Sequence, residues 1–240
     1  MTTVPASGAS AGFPSGDSAP AGESAAGTPA GTPAGSAAER AYEHTKGAII
    51  RGELAAGTMT SELLVAQQLQ ISRTPAHEAF LRLAAEGLLS LESRKGAIVR
   101  PMSPNEARDV LEMREAVEAM AAARVIADGC PPELITDLHA LLAIQANAIA
   151  VRDSGGFVDA DDAFHTAIVV ASRNEVAAHL LRFLRDRQQR LRHQLFRVRP
   201  EQFASVLEQH RDLARALEDG DADRYRALLA EHVAGHGVTS

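Results

Sequence analysis

The sequence predicts a mainly α-helical protein in which three helices and a β-hairpin precede an all-α bundle of six helices. Aromatic residues make up only 4% of a chain that is 45% hydrophobic, and Trp is absent. This composition disfavours a β-sandwich and favours helices rich in Ala and Leu. Apolar residues also recur at helical spacing through most of the chain, and strand-like segments are confined to residues 88–100.

The first 38 residues differ in composition from the rest of the chain. Ala, Gly, Ser and Pro occupy 29 of these 38 positions, and Thr-Pro-Ala-Gly occurs twice in succession at 28–35. Such a segment cannot bury enough apolar surface to offset the entropy that it would lose on ordering. We therefore expect residues 1–38 to be a disordered leader, with a functional tail as the alternative.

Residues 39–101 predict three helices. The first ends near Gly52, and the second begins at Ser61, whose hydroxyl is suited to cap it. The third follows residues 71–75, Ile-Ser-Arg-Thr-Pro, in which a hydroxyl cap precedes an early Pro. This helix continues to Gly87.

Two short strands follow the third helix. Residues 88–92 and 97–100 are strand-like, and the polar segment 93–96 between them is typical of a hairpin turn. Pro101 and Pro104 end the unit. Three helices and a β-hairpin together make a winged helix-turn-helix, a DNA-binding fold.

The second part of the chain, residues 102–236, shows no strand signal. Short breaks rich in Gly, Pro, Ser, Asn and Asp divide it into segments of helical periodicity. The six predicted helices span 104–128, 132–152, 156–172, 175–198, 200–219 and 222–235. Short connections between amphipathic helices predict an antiparallel bundle.

A net charge of −7 disfavours a nucleic-acid partner for the chain as a whole, but this charge is unevenly distributed. It is −2 for residues 1–38, +1 for 39–101 and −6 for 102–240. Because a DNA footprint depends on local charge, the whole-chain value does not exclude DNA binding by the predicted winged helix-turn-helix.

We expect a cytoplasmic protein with no membrane association. No apolar run approaches the roughly 18 residues that a membrane span needs. The N-terminus has neither the basic region nor the apolar region of a secretory signal. Cys130 is the single cysteine, so it cannot form an internal disulfide, and nothing indicates an oxidising compartment.

The third helix is the predicted DNA reader. Arg73 and Thr74 lie at its start, where a recognition helix meets base edges in the major groove. The arginine fork suits guanine, whose O6 and N7 atoms accept hydrogen bonds. The alternative for Arg73 is a surface ion pair with Glu62 or Glu78.

The predicted hairpin tip supplies three further candidate DNA contacts, Arg94, Lys95 and Gly96. The two basic side chains are placed to reach the phosphate backbone or the minor groove. A solvated turn without a DNA contact is the alternative.

Five short motifs carry a resemblance in this region: Ile-Ile-Arg-Gly at 49–52, Ile-Ser-Arg-Thr-Pro at 71–75, Glu-Ala-Phe-Leu-Arg-Leu at 78–83, Glu-Gly-Leu-Leu at 86–89 and Arg-Lys-Gly-Ala-Ile-Val at 94–99. Through them residues 41–100 resemble the N-terminal domain of the GntR family of bacterial transcription regulators. That family usually has a DNA-contacting Arg where this chain has His77. The resemblance therefore implies that His77 is a candidate DNA contact, and its titration would make the affinity pH-sensitive.

Four polar residues fall on the inward faces of three predicted bundle helices. Asp161 and His165 are four residues apart, so they stack on one helix face that also carries bulky apolar residues. His210 and His232 each interrupt an apolar stripe, in the fifth and sixth helices of the bundle. Burying such groups costs several kcal/mol unless they are paired or bind a metal.

A lone inward His is usually a satisfied core residue, but one divalent cation satisfies three His and one Asp more simply than four separate partners. The ligand types suit Zn, Ni, Mn, Fe or Co. Asp162 and His236 are rival ligands. Asp162 points about 100° away from Asp161 around the helix, and His236 lies at the end of the last helix, so we prefer Asp161 and His232.

A second resemblance rests on five motifs: Asp-Asp-Ala-Phe-His at 161–165, Ser-Arg-Asn at 172–174, Gln-His-Arg at 209–211, Ala-Leu-Glu-Asp-Gly-Asp at 216–221 and Glu-His at 231–232. Through them residues 104–235 resemble the FCD domain, the ligand-binding domain that follows the GntR-type reader. In that family an Asp, the His four residues later and two more distant His hold a metal. The resemblance thus implies Asp161, His165, His210 and His232, and six helices favour the VanR-like branch of the FadR subfamily.

Arg114 and Asn174 are candidate effector-binding residues. Arg114 has apolar neighbours at helical spacing and is predicted to face inward, where its fork suits a carboxylate; the FCD resemblance implies an acidic effector. The alternative is an internal salt bridge with Glu118. Asn174 either lines the pocket or caps a helix. The arginines of 175–198 are predicted to be mainly solvated or paired with acids, with one or two entering the pocket.

These features together predict a homodimeric transcriptional regulator of the repressor type. Two heads on a symmetric dimer would read a palindromic operator in double-stranded DNA. A small carboxylate effector bound at the metal site would control operator binding. The alternatives are a metal-dependent enzyme that uses the Asp and three His, and a regulator whose metal is purely structural. We find no general base beside the four ligands, so we predict no catalytic residues.

Overall fold

The computed structural model describes residues 35–92 and 96–235. The predicted disordered leader therefore lies largely outside the described residues, as do Arg94, Lys95 and His236. The described elements are α1 (Ala37–Ile50), β1 (Met59–Thr60), α2 (Glu62–Leu69), α3 (Arg73–Ala85), β2 (Leu89–Glu92), β3 (Gly96–Val99), α4 (Pro104–Ala127), α5 (Pro132–Val151), α6 (Ser154–Ala171), α7 (Glu175–Val198), α8 (Gln202–Glu218) and α9 (Ala222–Gly235). The mainly α-helical class is confirmed.

The elements from α1 to β3 form the part that we call the head, residues 37–99. Helix α1 begins inside the segment predicted to be disordered, because the Ser36 hydroxyl accepts a hydrogen bond from the Glu39 amide at 3.1 Å and so caps the helix. Helices α1 and α3 pack together, and Ile49, Phe80 and Leu83 form a fully buried core between the helices and the sheet.

The head contains one more strand than the sequence predicted. The sheet order is β1-β3-β2, and both pairs are antiparallel, with Met59 opposite Ile98 and Ser90 opposite Ile98 on the other side. The predicted hairpin is β2 and β3. The sequence did not predict strand β1, because two residues are too few to show an alternating pattern.

The caps of α2 and α3 differ from each other. Ser61 caps α2 as predicted, since its hydroxyl accepts a hydrogen bond from the Leu64 amide at 3.2 Å. Ser72 has the extended backbone of an N-cap residue, but its hydroxyl makes no capping hydrogen bond. The prediction of a hydroxyl cap at Ser72 was therefore wrong. The amides in the first turn of α3 therefore receive no capping hydrogen bond from Ser72.

Helices α4 to α9 form the bundle, residues 104–235. Each begins and ends within about two residues of its predicted position. Helix α6 begins at Ser154 because the Asp153 carboxylate accepts a hydrogen bond from the Gly156 amide at 2.9 Å. The core is continuous through all six helices and includes the fully buried Leu138, Phe157 and Leu213.

Helix α5 is the one described helix that is long and apolar enough, by length and composition alone, to cross a membrane. Glu133, Asp137, Gln145 and Asn147 interrupt this helix, so it is not a continuous apolar run of about 18 residues. In the structure, Leu134, Leu138 and Leu142 of α5 pack into the bundle core. Its exposed side carries both polar residues, such as Glu133 and Asp137, and the apolar Ile144 and Val151.

Candidate metal centre and nucleic-acid interface

The structure brings together the four residues that the sequence singled out as metal ligands. Asp161 and His165 lie on α6, His210 on α8 and His232 on α9, and all four are buried. One potential ligand atom from each residue lies within 4.8 Å of the other three. The apolar stripes that surround these residues are buried as predicted, so packing of three amphipathic helices places the four side chains at one point.

The shortest separations within this group match those between ligands of one metal ion. His165 Nε2 lies 3.1 Å from His210 Nε2, and His210 Nε2 lies 3.3 Å from Asp161 Oδ1. Metal–ligand bonds of about 2.0–2.2 Å place adjacent ligand atoms about 3.0–3.4 Å apart. The group is therefore already close to the geometry that a small divalent ion requires.

A second ring of side chains orients the three imidazoles. Gln145 Oε1 lies 2.7 Å from His210 Nδ1, and Gln209 Oε1 lies 3.0 Å from His232 Nδ1. Because an amide oxygen only accepts hydrogen bonds, each of these Nδ1 atoms carries the proton and donates it. The Nε2 atoms then carry the lone pairs, as in metal-ligating histidines. The Nε2 of His210 faces His165 and Asp161, and the Nε2 of His232 also lies 3.3 Å from Arg114 Nη2, which donates to it.

Glu118 of α4 completes this ring. Its Oε2 lies 2.8 Å from His165 Nδ1, which fixes the third imidazole in the same orientation. Gln145 is itself fixed, since its Nε2 donates a hydrogen bond to the Ala160 carbonyl at 3.4 Å. This bond turns the amide oxygen of Gln145 towards His210.

The protonation of His210 is consistent with a ligand role. Burial lowers the pKa of His210 well below its ordinary value of 6.5, and the guanidinium groups of Arg114 and Arg192 lower it further. The imidazole is therefore neutral near pH 7. Its Nε2 lies 3.1 Å from His165 Nε2 and 3.3 Å from Asp161 Oδ1. A cation shared by these atoms would be attracted to each of them, so the four residues fit a divalent metal.

Sequence reasoning missed most of the outer ring, although one signal was available. Gln145 lies on the same buried stripe of α5 as Leu134, Leu138 and Leu142, where an apolar residue is expected. A polar residue on such a stripe indicates a buried partner. The pairing of Gln209 with His232 had no comparable signal, because it depends on how α8 and α9 pack.

Arg114 faces inward as predicted, and only 1% of its side chain is exposed. Its Nε donates to Glu118 Oε1 at 2.8 Å, so the structure contains the internal salt bridge that was its alternative role. Its Nη2 also lies 3.3 Å from His232 Nε2, at the edge of the candidate metal centre. A contact between Arg114 and an effector stays a prediction.

Asn174 occupies the N-cap of α7. Its side-chain oxygen accepts a hydrogen bond from the Ala177 amide at 3.1 Å, and its amide nitrogen lies 3.7 Å from Met120 Sδ. The structure thus contains the helix-capping alternative, and an effector contact for Asn174 also stays a prediction. Its capping role already accounts for an Asn at this position.

Asp162, the rival of Asp161, points towards α7 instead of the centre. Its Oδ2 lies 2.7 Å from Arg185 Nε, and its Oδ1 lies 3.4 Å from Arg192 Nη1. Arg192 also approaches Asp161, with 2.5 Å between Nε and Oδ2. Arg192 is thus one of the predicted pocket-entering arginines of α7, and it is 1% exposed.

The candidate DNA-reading residues lie on the outer surface of the head. Arg73, Thr74 and His77 are all exposed along the first turns of α3. Among the described residues, Arg73 has no ion-pair partner. Glu62, one of its predicted alternative partners, pairs with His77 instead. The distance from Glu62 Oε1 to His77 Nδ1 is 2.8 Å. Contacts of Arg73, Thr74 and His77 with DNA stay predictions, and the His77 ring already pairs with Glu62.

Gly96 has a structural role that accounts for glycine at this position. Its φ of +98° lies in a region that other residues rarely adopt, and a Cβ atom here would clash with the Thr60 carbonyl oxygen. Glycine thus allows β3 to pair closely with β1. A direct contact between Gly96 and DNA stays a prediction.

Comparisons with known proteins give matches over both parts of the chain. Residues 37–99 match the family described as bacterial regulatory proteins, gntR family, and residues 109–235 match the FCD domain. The HTH-type transcriptional repressor RspR of Escherichia coli is 28% identical over 81% of this chain and 85% of its own. An HTH-type transcriptional regulator from an unstable DNA locus of Streptomyces ambofaciens is 30% identical over 80% of each chain.

A solved structure shares the fold. E. coli McbR/YncC superposes with a TM-score of 0.68 at 24% identity, over 83% of this chain and 94% of the other. The matched families and relatives are transcriptional regulators and not enzymes. The alternative of a metal-dependent enzyme is therefore unsupported.

Proposed function

Because this chain belongs to the GntR family of bacterial transcriptional regulators and carries an FCD domain, we propose that it is a repressor whose operator binding depends on a metal and a small carboxylate. It is a transcriptional regulator with a DNA-binding domain, as its relatives are. The head reads the operator, and the bundle holds the metal and the effector. Such a protein acts where the chromosome is, in the cytoplasm.

The arrangement of the three imidazoles is the observation that supports a metal site. Their Nδ1 atoms face fixed acceptors on Gln145, Gln209 and Glu118, so their Nε2 lone pairs converge together with the Asp161 carboxylate. We propose that Asp161, His165, His210 and His232 hold one divalent ion. Nitrogen and carboxylate ligands suit Zn, Ni or Mn.

The proposal of an acidic effector rests on Arg114. A bound divalent ion and the Arg114 guanidinium together would present two positive groups to a small anion. Arg114 is supported more strongly than Asn174, because its Nη2 lies beside His232 at the edge of the centre. The carboxylate would control DNA binding only if it bound the DNA-competent and DNA-free conformations with different affinity.

The experiment that tests this function measures operator affinity under matched conditions. Selection of bound fragments from genomic DNA defines the operator, and fluorescence anisotropy then measures the affinity with EDTA, with added Zn, Ni or Mn, and with small carboxylates. We expect one metal and one carboxylate together to change operator affinity by about tenfold or more, a coupling of roughly 1.4 kcal/mol. The corresponding amide, which lacks the negative charge, should leave the affinity unchanged.

If DNA binding persists but neither metal nor carboxylate alters it, sensing is refuted and the metal is purely structural. If no fragment is enriched over non-specific DNA, the assignment of a sequence-specific head is refuted as well. The two failures are therefore distinguishable.

We propose that α4 and α7 form the surface of a homodimer. The two helices pack side by side, and both expose large apolar side chains. The exposed residues are Met113 and Met120 on α4 and Val176, Leu180 and Phe183 on α7. Large exposed apolar side chains on two neighbouring helices indicate a binding surface, and a two-fold axis would place the same surface on both subunits. Two heads would then read a palindrome with half-sites about 34 Å apart.

Phe183→Asp tests this surface, since 64% of Phe183 is exposed. A carboxylate in the centre of an apolar interface loses its hydration, so we expect a dimer to become a monomer at micromolar concentration. Sedimentation velocity measures the change. Val151→Asp, at a 63% exposed apolar residue on α5, is the matched control and should leave the dimer intact. A Phe183→Asp dimer as stable as the unsubstituted one would contradict the proposed surface.

A further inference from the structure

Helix α7 contacts both the candidate metal centre and the head. On its inner side, Arg192 lies 2.5 Å from Asp161 Oδ2, and Arg185 lies 2.7 Å from Asp162 Oδ2. Both acids belong to α6. One buried and one half-exposed arginine of α7 therefore fix the two neighbouring acids beside the centre.

Elsewhere along α7, three side chains reach the head or the segment that follows it. Asp186 Oδ2 lies 2.6 Å from Lys46 Nζ on α1. Arg190 donates a hydrogen bond to the Arg100 carbonyl after β3, and Arg197 donates one to the Gly52 carbonyl after α1. Because α7 contacts the head and the segment after it at three points, a displacement of α7 would shift the head.

Lys46, the head residue that pairs with Asp186, is held in place by further polar neighbours. Its Nζ lies 2.7 Å from the Tyr42 hydroxyl and 3.2 Å from Glu86 Oε2, in addition to its pairing with Asp186. Burial alone would lower the pKa of Lys46, but the hydrogen bonds to Asp186 and Tyr42 outweigh it and raise that pKa. Lys46 is therefore charged at physiological pH, and 16% of its side chain is exposed, so solvent screens the pair with Asp186 only in part.

The two oxygens of Asp161 face different partners. Oδ1 lies 3.3 Å from His210 Nε2, towards the centre, whereas Oδ2 lies against Arg192. A divalent ion held through Oδ1 would draw charge from the carboxylate and repel the nearby guanidinium. The position of Arg192 must then depend on whether the centre holds a metal. Six residues of helix, about 9 Å, connect Arg192 to Asp186.

We propose that Arg192 positions Asp161 and that α7 transmits metal occupancy to the head through the ion pair between Asp186 and Lys46. This inference rests on the proposed metal site and adds the route by which the bundle controls the head. Because a helix moves as a stiff unit, a displacement at Arg192 reaches Asp186 without any change in the head core.

The test substitutes Asp186→Asn, which removes the charge that faces Lys46 and keeps the shape of the side chain. The side chain of Asp186 is 41% exposed and pairs with Lys46, not with a proposed metal ligand, so we expect zinc affinity to stay within about twofold. The probe is zinc ion alone, added to the full chain after EDTA treatment. Hydrogen–deuterium exchange then reports on residues 37–50 of the head, and a chelating dye measures zinc affinity.

In the unsubstituted protein, zinc should change the exchange rate of residues 37–50 by about threefold or more. In Asp186→Asn, zinc should change the hydrogen-exchange rate only within the bundle. The factor by which zinc alters operator affinity should be at least about fivefold smaller than in the unsubstituted protein. Glu106→Gln is the matched control. Glu106 of α4 pairs with Arg187 of α7 at 3.6 Å, so this ion pair also involves α7 but lies within the bundle. This control should respond as the unsubstituted protein does.

The outcomes separate this inference from the proposed function. If zinc binds and alters operator affinity equally in the unsubstituted protein and in Asp186→Asn, the transmission route is overturned and the metal-sensing function stands. If zinc does not bind, or binds without any effect on the head or on operator affinity, both are overturned. A loss of response in Glu106→Gln as well would also overturn the assignment to Lys46, because any disturbance of α7 would then suffice.

Discussion

His210→Ala is expected to remove the metal from the purified protein while leaving the head folded. His210 is fully buried, and its Nε2 lies within 3.3 Å of ligand atoms on both His165 and Asp161. Its loss removes the ligand that links α8 to α6 and leaves the Gln145 amide oxygen without its donor. We expect metal affinity to fall by more than about 100-fold, beyond the 10–100-fold that loss of an outer-ring partner typically costs.

The measurement is metal content by mass spectrometry, together with zinc affinity by competition with a chelating dye. Gln145→Ala should give the intermediate result, a 10–100-fold weaker site, because the imidazole remains but its orientation is no longer fixed. His139→Ala is the control, since His139 is an exposed histidine that pairs with Glu218 on the bundle surface. Unchanged metal content in His210→Ala would refute the assignment of the centre.

His210→Ala also leaves a cavity in the bundle, and large-to-small substitutions of buried residues typically cost about 2–5 kcal/mol of stability. Circular dichroism at working temperature therefore accompanies the metal analysis. Operator binding that persists in the metal-free variant would show that the head is folded without the metal.

Arg73→Ala is expected to weaken sequence-specific operator binding strongly. Arg73 is exposed at the first residue of α3. A good bidentate contact between an arginine and a guanine is worth about 1–3 kcal/mol of discrimination, or roughly 5–150-fold in affinity. Both heads of the proposed dimer would lose this contact, so the combined loss of about 2–6 kcal/mol would be a large part of the roughly 4–10 kcal/mol by which specific binding typically exceeds non-specific binding.

Anisotropy titrations of operator and scrambled DNA at fixed salt concentration measure the effect. Affinity for scrambled DNA should change much less, because many phosphate contacts contribute to it. Arg215→Ala, at an exposed arginine of the bundle that pairs with Asp212, is the control. If Arg73→Ala binds the operator as the unsubstituted protein does, α3 does not read DNA through this residue.

Much of the fold could be predicted from the sequence because local signals determine it. Amphipathic periodicity, caps and Gly- or Pro-rich breaks depend on residues that are near each other in the chain. The six bundle helices therefore appeared at nearly the predicted positions. The exceptions were also local: β1 is too short for a pattern, and Ser72 has cap geometry without the cap hydrogen bond.

The candidate ligands could be predicted for a similar reason. Each of Asp161, His165, His210 and His232 interrupts an apolar stripe of its own helix, so the sequence alone determined that all four face inward. It did not determine which atoms face the centre. That choice depends on Gln145 and the other outer-ring residues, which approach from different helices.

Only the tertiary structure decided the contacts between distant residues. Gln209 approaches His232, Arg192 turns to Asp161, and Asp186 meets Lys46 across 140 positions of the chain. Helical periodicity determines which face of a helix is buried, but not the rotation and axial offset of one helix against another. These two quantities are set by the packing of all the side chains between the helices. They determine the outer ring of the centre and the route along α7, whereas the sequence by itself determined the helices, the inward ligands and the reading helix.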